Sequence, residues 1–369
     1  MMYNVSTPAI QNYASSLIRH VYNVLEFDQL ENKSLPSLAN FFLDSDMKNI
    51  DFSNQNCCDG HEDLNKTVRA LCEKYQNIFS LNKMDIGKCN ASDQVSFSLR
   101  SNTVPVNVRP YPVNRKLHDR AMKFIGKLLD LGLFRPAKQN EAWSNPAFFL
   151  LKSPMLQQIH NGQEELIQSD EEKDLPVRLI INYAKFNSKV KKKFSVHPQI
   201  TCRDAINRLQ SANFAAKMDV TNCFYHLSIK PSMRGTLSFC YADYHLTPTV
   251  LMHGLVFASA IWCAVFAKLV RRAGLQGNVI FLIDDIFVVA KSKKEYISAL
   301  EKLFLALQKA NFKIKFEKCL FNITSKTTFT AFGWKIRLGT DKLPGTLQAD
   351  PKKLEELKKT VTNKNPKGM

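Results

Sequence analysis

The stretch VIFLIDDIFVVAK, residues 279–291, is two runs of β-branched and aromatic residues broken only by Asp284 and Asp285. Runs of this composition read as buried strands, so the segment is a hairpin with two adjacent carboxylates at its turn. A tight hairpin favours Asn-Gly or Asp-Gly there, because the backbone must pass through positive φ. Asp-Asp does not meet that need. Neighbouring carboxylates also repel, and an apolar surround raises the cost of ionising both. A divalent cation held by oxygen ligands removes that cost. Paired acids occur in plain turns too, so the motif alone leaves a structural turn and a magnesium site both open.

Upstream, FAAKMDV (214–220) is a second apolar strand ending in Asp219, between Met218 and Val220. If it pairs beside the hairpin, three carboxylates converge. Three acids can hold two magnesium ions, one activating a 3′-hydroxyl and both stabilising a pentavalent phosphorus and the leaving pyrophosphate. The plainer alternative makes Asp219 a helix N-cap.

The flanking segments follow from periodicity. Residues 62–81 carry Leu64, Val68, Leu71, Tyr75 and Phe79 at helical spacing. Prolines 105, 110 and 112 make 104–114 an extended arm. The spacing of Leu117, Ala121, Phe124, Ile125, Leu128 and Leu129 predicts a helix over 115–132, stopped by Gly132 and Pro136. AFFLLK (147–152) and VRLIINYA (177–184) read as strands around an acidic, solvated insertion at 155–174. YHLSIK (225–230) opens a further element, and 237–251 reads as a hairpin. Helices are expected at 254–270 and 294–311, and strands in FKIKFEKCLF (312–321) and TFTAFGWKIRL (328–338). Strands and helices mix without regular alternation, so the fold class is α+β. Residues 1–60 read as poorly ordered.

Charge is segregated. The chain carries 51 Lys plus Arg against 33 Asp plus Glu, a net +18 over 369 residues. Residues 1–90 are net −3 and the remainder is net +21. That basic remainder expects a polyanionic partner, nucleic acid or an anionic membrane. The hydrophobic fraction of 45% excludes a mainly disordered chain. Nine cysteines without C-x-x-C spacing give neither a zinc pattern nor a disulfide framework. The N-terminus lacks the basic-then-apolar order of a secretory signal, so a cytoplasmic or nuclear rather than secreted protein is expected. The run 249–267 has the length and basic flank of a membrane span, but a buried helix reads the same way.

In order along the chain, these segments resemble the reverse transcriptases of gypsy-type LTR retrotransposons, relatives of the retroviral enzymes. The resemblance runs from about residue 90 to 369. It rests on RPYPVNRKLHDRAMKFIGKLLDLGLFRPAKQNEAWSNPAFFLLK (109–152), RLIINYAKFN (178–187), KMDVTNCFYHLSI (217–229), LMHGLVFASAIW (251–262), FLIDDIFVVAKS (281–292), ANFKIKFEKCLF (310–321), TAFGWKI (330–336) and LQADPKKLEEL (347–357). LMHGLVFASAIW is similar to the family's P-F-G-L-x-x-A-P-x-x-F, and FLIDDIFVVAKS to its Y-x-D-D hairpin.

The resemblance implies a right-hand polymerase fold. Residues 1–90 would precede it, fingers and palm would occupy 91–340, and only the start of a thumb would stand at 341–369. It implies an RNA-directed DNA polymerase that extends a primer on an RNA or DNA template with dNTPs. Asp219, Asp284 and Asp285, with the Val220 carbonyl, would hold two magnesium ions, or manganese in their place. Phe224 would be a steric gate against ribose, with an ordinary core Phe as the alternative. Arg178 and Lys152 would contact the triphosphate, His253 and Gly254 would approach the nucleotide, and Lys318 would be a proton donor to pyrophosphate.

The sequence departs from the family pattern at several of these positions. Leu282 stands for the hairpin Tyr, Asn182 and Ala184 for Asp and Arg, Met252 and His253 for Pro-Phe, Ser259 for Pro and Cys223 for Gly. Within these 369 residues no segment resembles ribonuclease H or integrase and no D-T-G or D-S-G motif appears, and a polymerase with only the start of a thumb is expected to have low processivity. The competing reading is a degenerate remnant that binds nucleic acid without polymerising.

Overall fold

In the computed structural model, residues 50–52, 62–82, 85–89, 94–151, 177–191, 200–351 and 354–355 are described. The expected 155–174 insertion, Lys152 and nearly all of 1–60 lie outside them. The described residues fall into two compact units, one drawn from Ser96–Lys191 and Ile229–Leu255, the other from Lys48–Val95, Lys192–Ser228 and Val256–Met369.

The first unit is built on five strands: β1 (Phe134–Pro136), β2 (Asn145–Leu151), β3 (Val177–Ile181), β5 (Phe239–Tyr241) and β6 (Tyr244–Pro248), in the order β1-β6-β5-β2-β3. Only β2 and β5 run parallel. The extended arm lies alongside, with the Val108 N–H donating to the Ser144 carbonyl at 3.0 Å. Against this sheet packs a helix at Arg115–Asp130, which buries Leu117, Ala121, Ile125 and Leu128 on one face. Gly132, at φ +64°, ends it, and the Leu133 N–H closes back onto the Leu128 carbonyl. That is the αL termination glycine makes without a Cβ penalty.

The second unit contains α1 (Glu62–Lys74), α3 (Cys202–Gln210), α4 (Ala258–Arg272) and α5 (Lys293–Ala310), counting the first unit's helix as α2. Its larger sheet is β7 (Val279–Leu282), β8 (Asp285–Ala290), β4 (Phe214–Asp219) and β9 (Leu320–Ile323), in the order β7-β8-β4-β9 and antiparallel throughout. A second sheet joins β10 (Thr328–Ala331), β11 (Trp334–Arg337) and β12 (Thr346–Ala349). Side chains alternate across a strand. On one face Ala215, Phe287 and Val289 form a core with Leu209 of α3 and Phe329 and Ile336 of the small sheet. Helix α5 buries Tyr296, Leu300, Leu303, Phe304 and Leu307 at helical spacing. Its Tyr296 hydroxyl accepts the Asn322 N–H of β9 at 3.0 Å, and Phe304 meets Tyr75 and Phe79 edge to face.

The α+β arrangement is as expected, and several boundaries are corrected. The helix expected over 254–270 begins at Ala258, because Gly254 at φ +85° belongs to the loop before it. Its Trp262, Cys263 and Phe266 are buried in the unit's core. Among the described residues no helix is long and apolar enough to cross a membrane. FKIKFEKCLF is not one strand. Ile314 makes single bridges to Phe79 and to Val220, a 3₁₀ turn follows at Phe316–Lys318, and β9 starts only at Leu320. The expected element at 225–230 is instead a 3₁₀ turn at Cys223–His226, entered through Asn222 at φ +44°. Leu303 is fully buried on α5. Leu303→Ala is expected to cost about 3 kcal/mol, seen as a lower urea midpoint at unchanged slope.

Candidate active site

The site is assembled at one end of the β4–β8 pair. The register is continuous from Phe214↔Ala290 to Asp219↔Asp285. Directly opposed residues of an antiparallel pair project to the same face. Period 2 therefore places Lys217 and Asp219 on the face that carries Ala215, beside Asp285 and Phe287. The face is apolar core at one end and carboxylate at the other. Asp284 occupies the turn before β8, and its carbonyl accepts the Val220 N–H at 2.9 Å. Asp219 and Asp285 are thus opposed in register, and the backbones of Val220 and Asp284 are hydrogen-bonded beside them. The N-cap alternative for Asp219 is not seen: Asp219 closes a strand, and its carbonyl accepts the Lys315 N–H.

Two lysines sit on these acids. Lys318 Nζ donates to Asp219 Oδ2 at 2.9 Å, and Lys217 Nζ lies 3.7 Å from Asp285 Oδ1. Lys217 also donates to the Thr330 carbonyl and stands over the Phe287 ring. Burial raises the pKa of Asp285. Lys217 opposes that rise, whereas Asp284 and Asp219 add to it. Among the described residues, no three or more His, Cys, Asp or Glu side chains are gathered closely enough to hold a metal ion. The donor set nevertheless suits a hard cation: three carboxylates, neighbouring on one strand pair, with like-charge crowding that a divalent ion would relieve. An ion there would compete with the two ammonium groups for these carboxylates.

The remaining positions fall as follows. Cys223 is buried, and burial followed by the charge of Asp284 pushes its thiol far up, which disfavours the thiolate. Phe224 and Tyr225 are buried in the same 3₁₀ turn. Buried His226 accepts the Lys313 N–H on Nε2 at 3.0 Å, and burial lowers its pKa to about 4 against weaker pulls from the Cys223 and Asn222 backbone. In the first unit, Arg178 is exposed on β3, and His253 and Gly254 are exposed on the loop after β6. The Gly254 carbonyl accepts from Asn187 Nδ2 at 2.8 Å, and a Cβ at Gly254 would stand 3.4 Å from the Ile181 carbonyl oxygen. Lys152 lies outside the described residues. Sequence reasoning passed over Lys217, although a lysine two residues before a strand-end aspartate must share its face.

Residues 172–336 match the family model described as reverse transcriptase (RNA-dependent DNA polymerase). Over those residues the chain is similar to a reverse transcriptase domain. Among curated relatives it is 19% identical over 321 residues to the retrovirus-related Pol polyprotein from transposon 297 of Drosophila melanogaster, covering 84% of this chain and 28% of that one. The solved foamy viral protease-reverse transcriptase dRH in complex with ds DNA has the same fold, with a TM-score of 0.62 at 17% identity over 100% of this chain and 51% of that one. The foamy viral protease-reverse transcriptase in complex with RNA/DNA hybrid gives 0.61 at 16% identity over 97% and 38%. The chain therefore spans between about a quarter and a half of these relatives. Asp219, Asp284 and Asp285 all lie within the matched residues and in the second unit.

Two outcomes are expected here. Lys217→Met removes the cation that opposes burial at Asp285, so the Asp285 pKa should rise further, read by carboxyl carbon NMR against pH. For His226 the folded pKa lies below the unfolded value near 6.5. Its stabilising contribution is complete above the unfolded value and is lost as pH falls through the folded one. Unfolding free energy should drop by roughly 3 kcal/mol between about pH 6.5 and pH 4. His226→Gln should flatten that window in chemical denaturation.

Proposed function

We propose that this chain is the polymerase portion of a retroelement Pol protein, an RNA-directed DNA polymerase adding dNTPs to a primer 3′-OH on an RNA or DNA template. The observation that carries the reading is the direct opposition of Asp219 and Asp285 across β4 and β8, with Asp284 in the adjoining turn. The names of similar solved proteins, one in complex with ds DNA and another with an RNA/DNA hybrid, support a duplex partner. So does the net +21 carried by residues 91–369, which would make binding fall steeply with salt.

Asp219, Asp284 and Asp285, with the Val220 carbonyl, would hold magnesium, or manganese in its place. When bound, such ions supply activation of the 3′-hydroxyl and charge neutralisation at phosphorus and pyrophosphate. The chain's own groups do the rest. Lys318, if released from Asp219, would give a proton to the departing pyrophosphate. Arg178 is assigned to the triphosphate, where a planar guanidinium grips two oxygens at once. Lys152 is assigned as a second phosphate contact, His253 and Gly254 to the incoming nucleotide, and Phe224 to excluding a ribose 2′-hydroxyl.

One observation favours a second reading, the non-polymerising remnant: Asp219 and Asp285 are both engaged by lysines. The two readings part in a primer-extension assay with oligo(dT) on poly(rA), dTTP and magnesium or manganese. The polymerase reading expects incorporation that Asp284→Asn lowers by roughly 100-fold or more. Equal background incorporation by both proteins, with salt-sensitive duplex binding retained, would establish the remnant.

A further inference from the structure

The hairpin that presents Asp284 and Asp285 has an unusual backbone. Leu282 pairs with Asp285, so Ile283 and Asp284 alone make the turn. Ile283 is at φ +54°. Positive φ at the first central residue is where a type II′ hairpin takes glycine, and a β-branched residue there is an outlier. Such a conformation persists only when its surroundings impose it.

The surroundings include Trp262. Its Nε1–H donates to the Ile283 carbonyl at 2.6 Å. The indole is fully buried on α4, with ring contacts to His226, Phe266 and Phe312. A ring packed on these sides cannot follow the turn, so it fixes the turn instead. Its single N–H also needs an acceptor once buried. The carbonyl it holds belongs to the peptide entering Asp284. The next carbonyl, that of Asp284, is held by the Val220 N–H. Both peptides bracketing Asp284 are thereby anchored, one from α4 and one from the strand end beside Asp219. The family motif quoted above ends in Phe at this position, and Phe has no N–H to donate.

We propose that Trp262 is a positioning residue that holds the Ile283 turn and so sets Asp284 and Asp285 for cation binding. This rests on the polymerase reading for its purpose, though not for its geometry. The test uses the full chain with Trp262→Phe, and Trp262→Phe combined with Ile283→Gly. Two readouts are taken: Mn²⁺ affinity by water-proton relaxation, and amide hydrogen exchange at Val220. Loss of one buried hydrogen bond should weaken Mn²⁺ binding and Val220 protection by about tenfold each. The added glycine, free to adopt positive φ, should return both towards the parent values.

A Trp262→Phe protein that keeps its circular dichroism, its Mn²⁺ affinity and its Val220 protection would overturn the proposal. So would failure of Ile283→Gly to rescue, which would reduce Trp262 to packing. If Trp262→Phe does not fold, benzothienylalanine at 262 replaces N–H by sulfur at nearly the same shape, and the same outcomes apply. If the parent protein neither binds Mn²⁺ nor polymerises, the functional reading fails by itself. Val220 exchange then decides the positioning role.

Discussion

Two like charges face one another across β4 and β8, and a third stands beside them in the turn. Strand pairs place opposed side chains within a few ångströms, so Asp219 and Asp285 repel with nothing but their surroundings to offset it. Burial sharpens the conflict, as the raised pKa of Asp285 records. The structure answers with cations: Lys217 from the same strand face and Lys318 from the 3₁₀ turn before β9. A fold seeking only stability would place apolar residues here, as it does four residues away at Ala215 and Val289. On the proposed reading, these acids are there for what they would bind.

Much of this was legible in the sequence because it rests on short-range pattern. Apolar runs around Asp284-Asp285 and before Asp219 specify strands, and the helical spacing of Leu300, Leu303, Phe304 and Leu307 specifies α5. What was not legible depends on tertiary contact. Ile314 interrupts its expected strand because it bridges both Phe79 and Val220, segments more than 90 residues upstream. No local pattern reveals that Lys318 reaches Asp219, 99 positions away. The indole of Trp262 reads from sequence as one more apolar residue in an apolar run, and only packing reveals its N–H as the anchor of a turn.

The departures from the family pattern are absorbed by local structure. Asn182, where the pattern has Asp, accepts the Ala184 N–H and donates to the Tyr111 hydroxyl. Ala184, where it has Arg, begins a short helix. Leu282, where it has Tyr, packs against the core of the second unit. Cys223, where it has Gly, is a buried thiol beside Asp284. These four substitutions each have a structural occupation, and none of the seven departures falls on Asp219, Asp284 or Asp285.

On the proposed reading, Asp219, Asp284 and Asp285 form a cation site from which Lys217 and Lys318 are displaced. Anomalous diffraction from crystals of the chain soaked in manganese addresses it directly. The expected result is an anomalous peak among the three carboxylates, with both ammonium groups moved off Asp219 and Asp285. A well-ordered site with no peak there, and both lysines still paired, would contradict it.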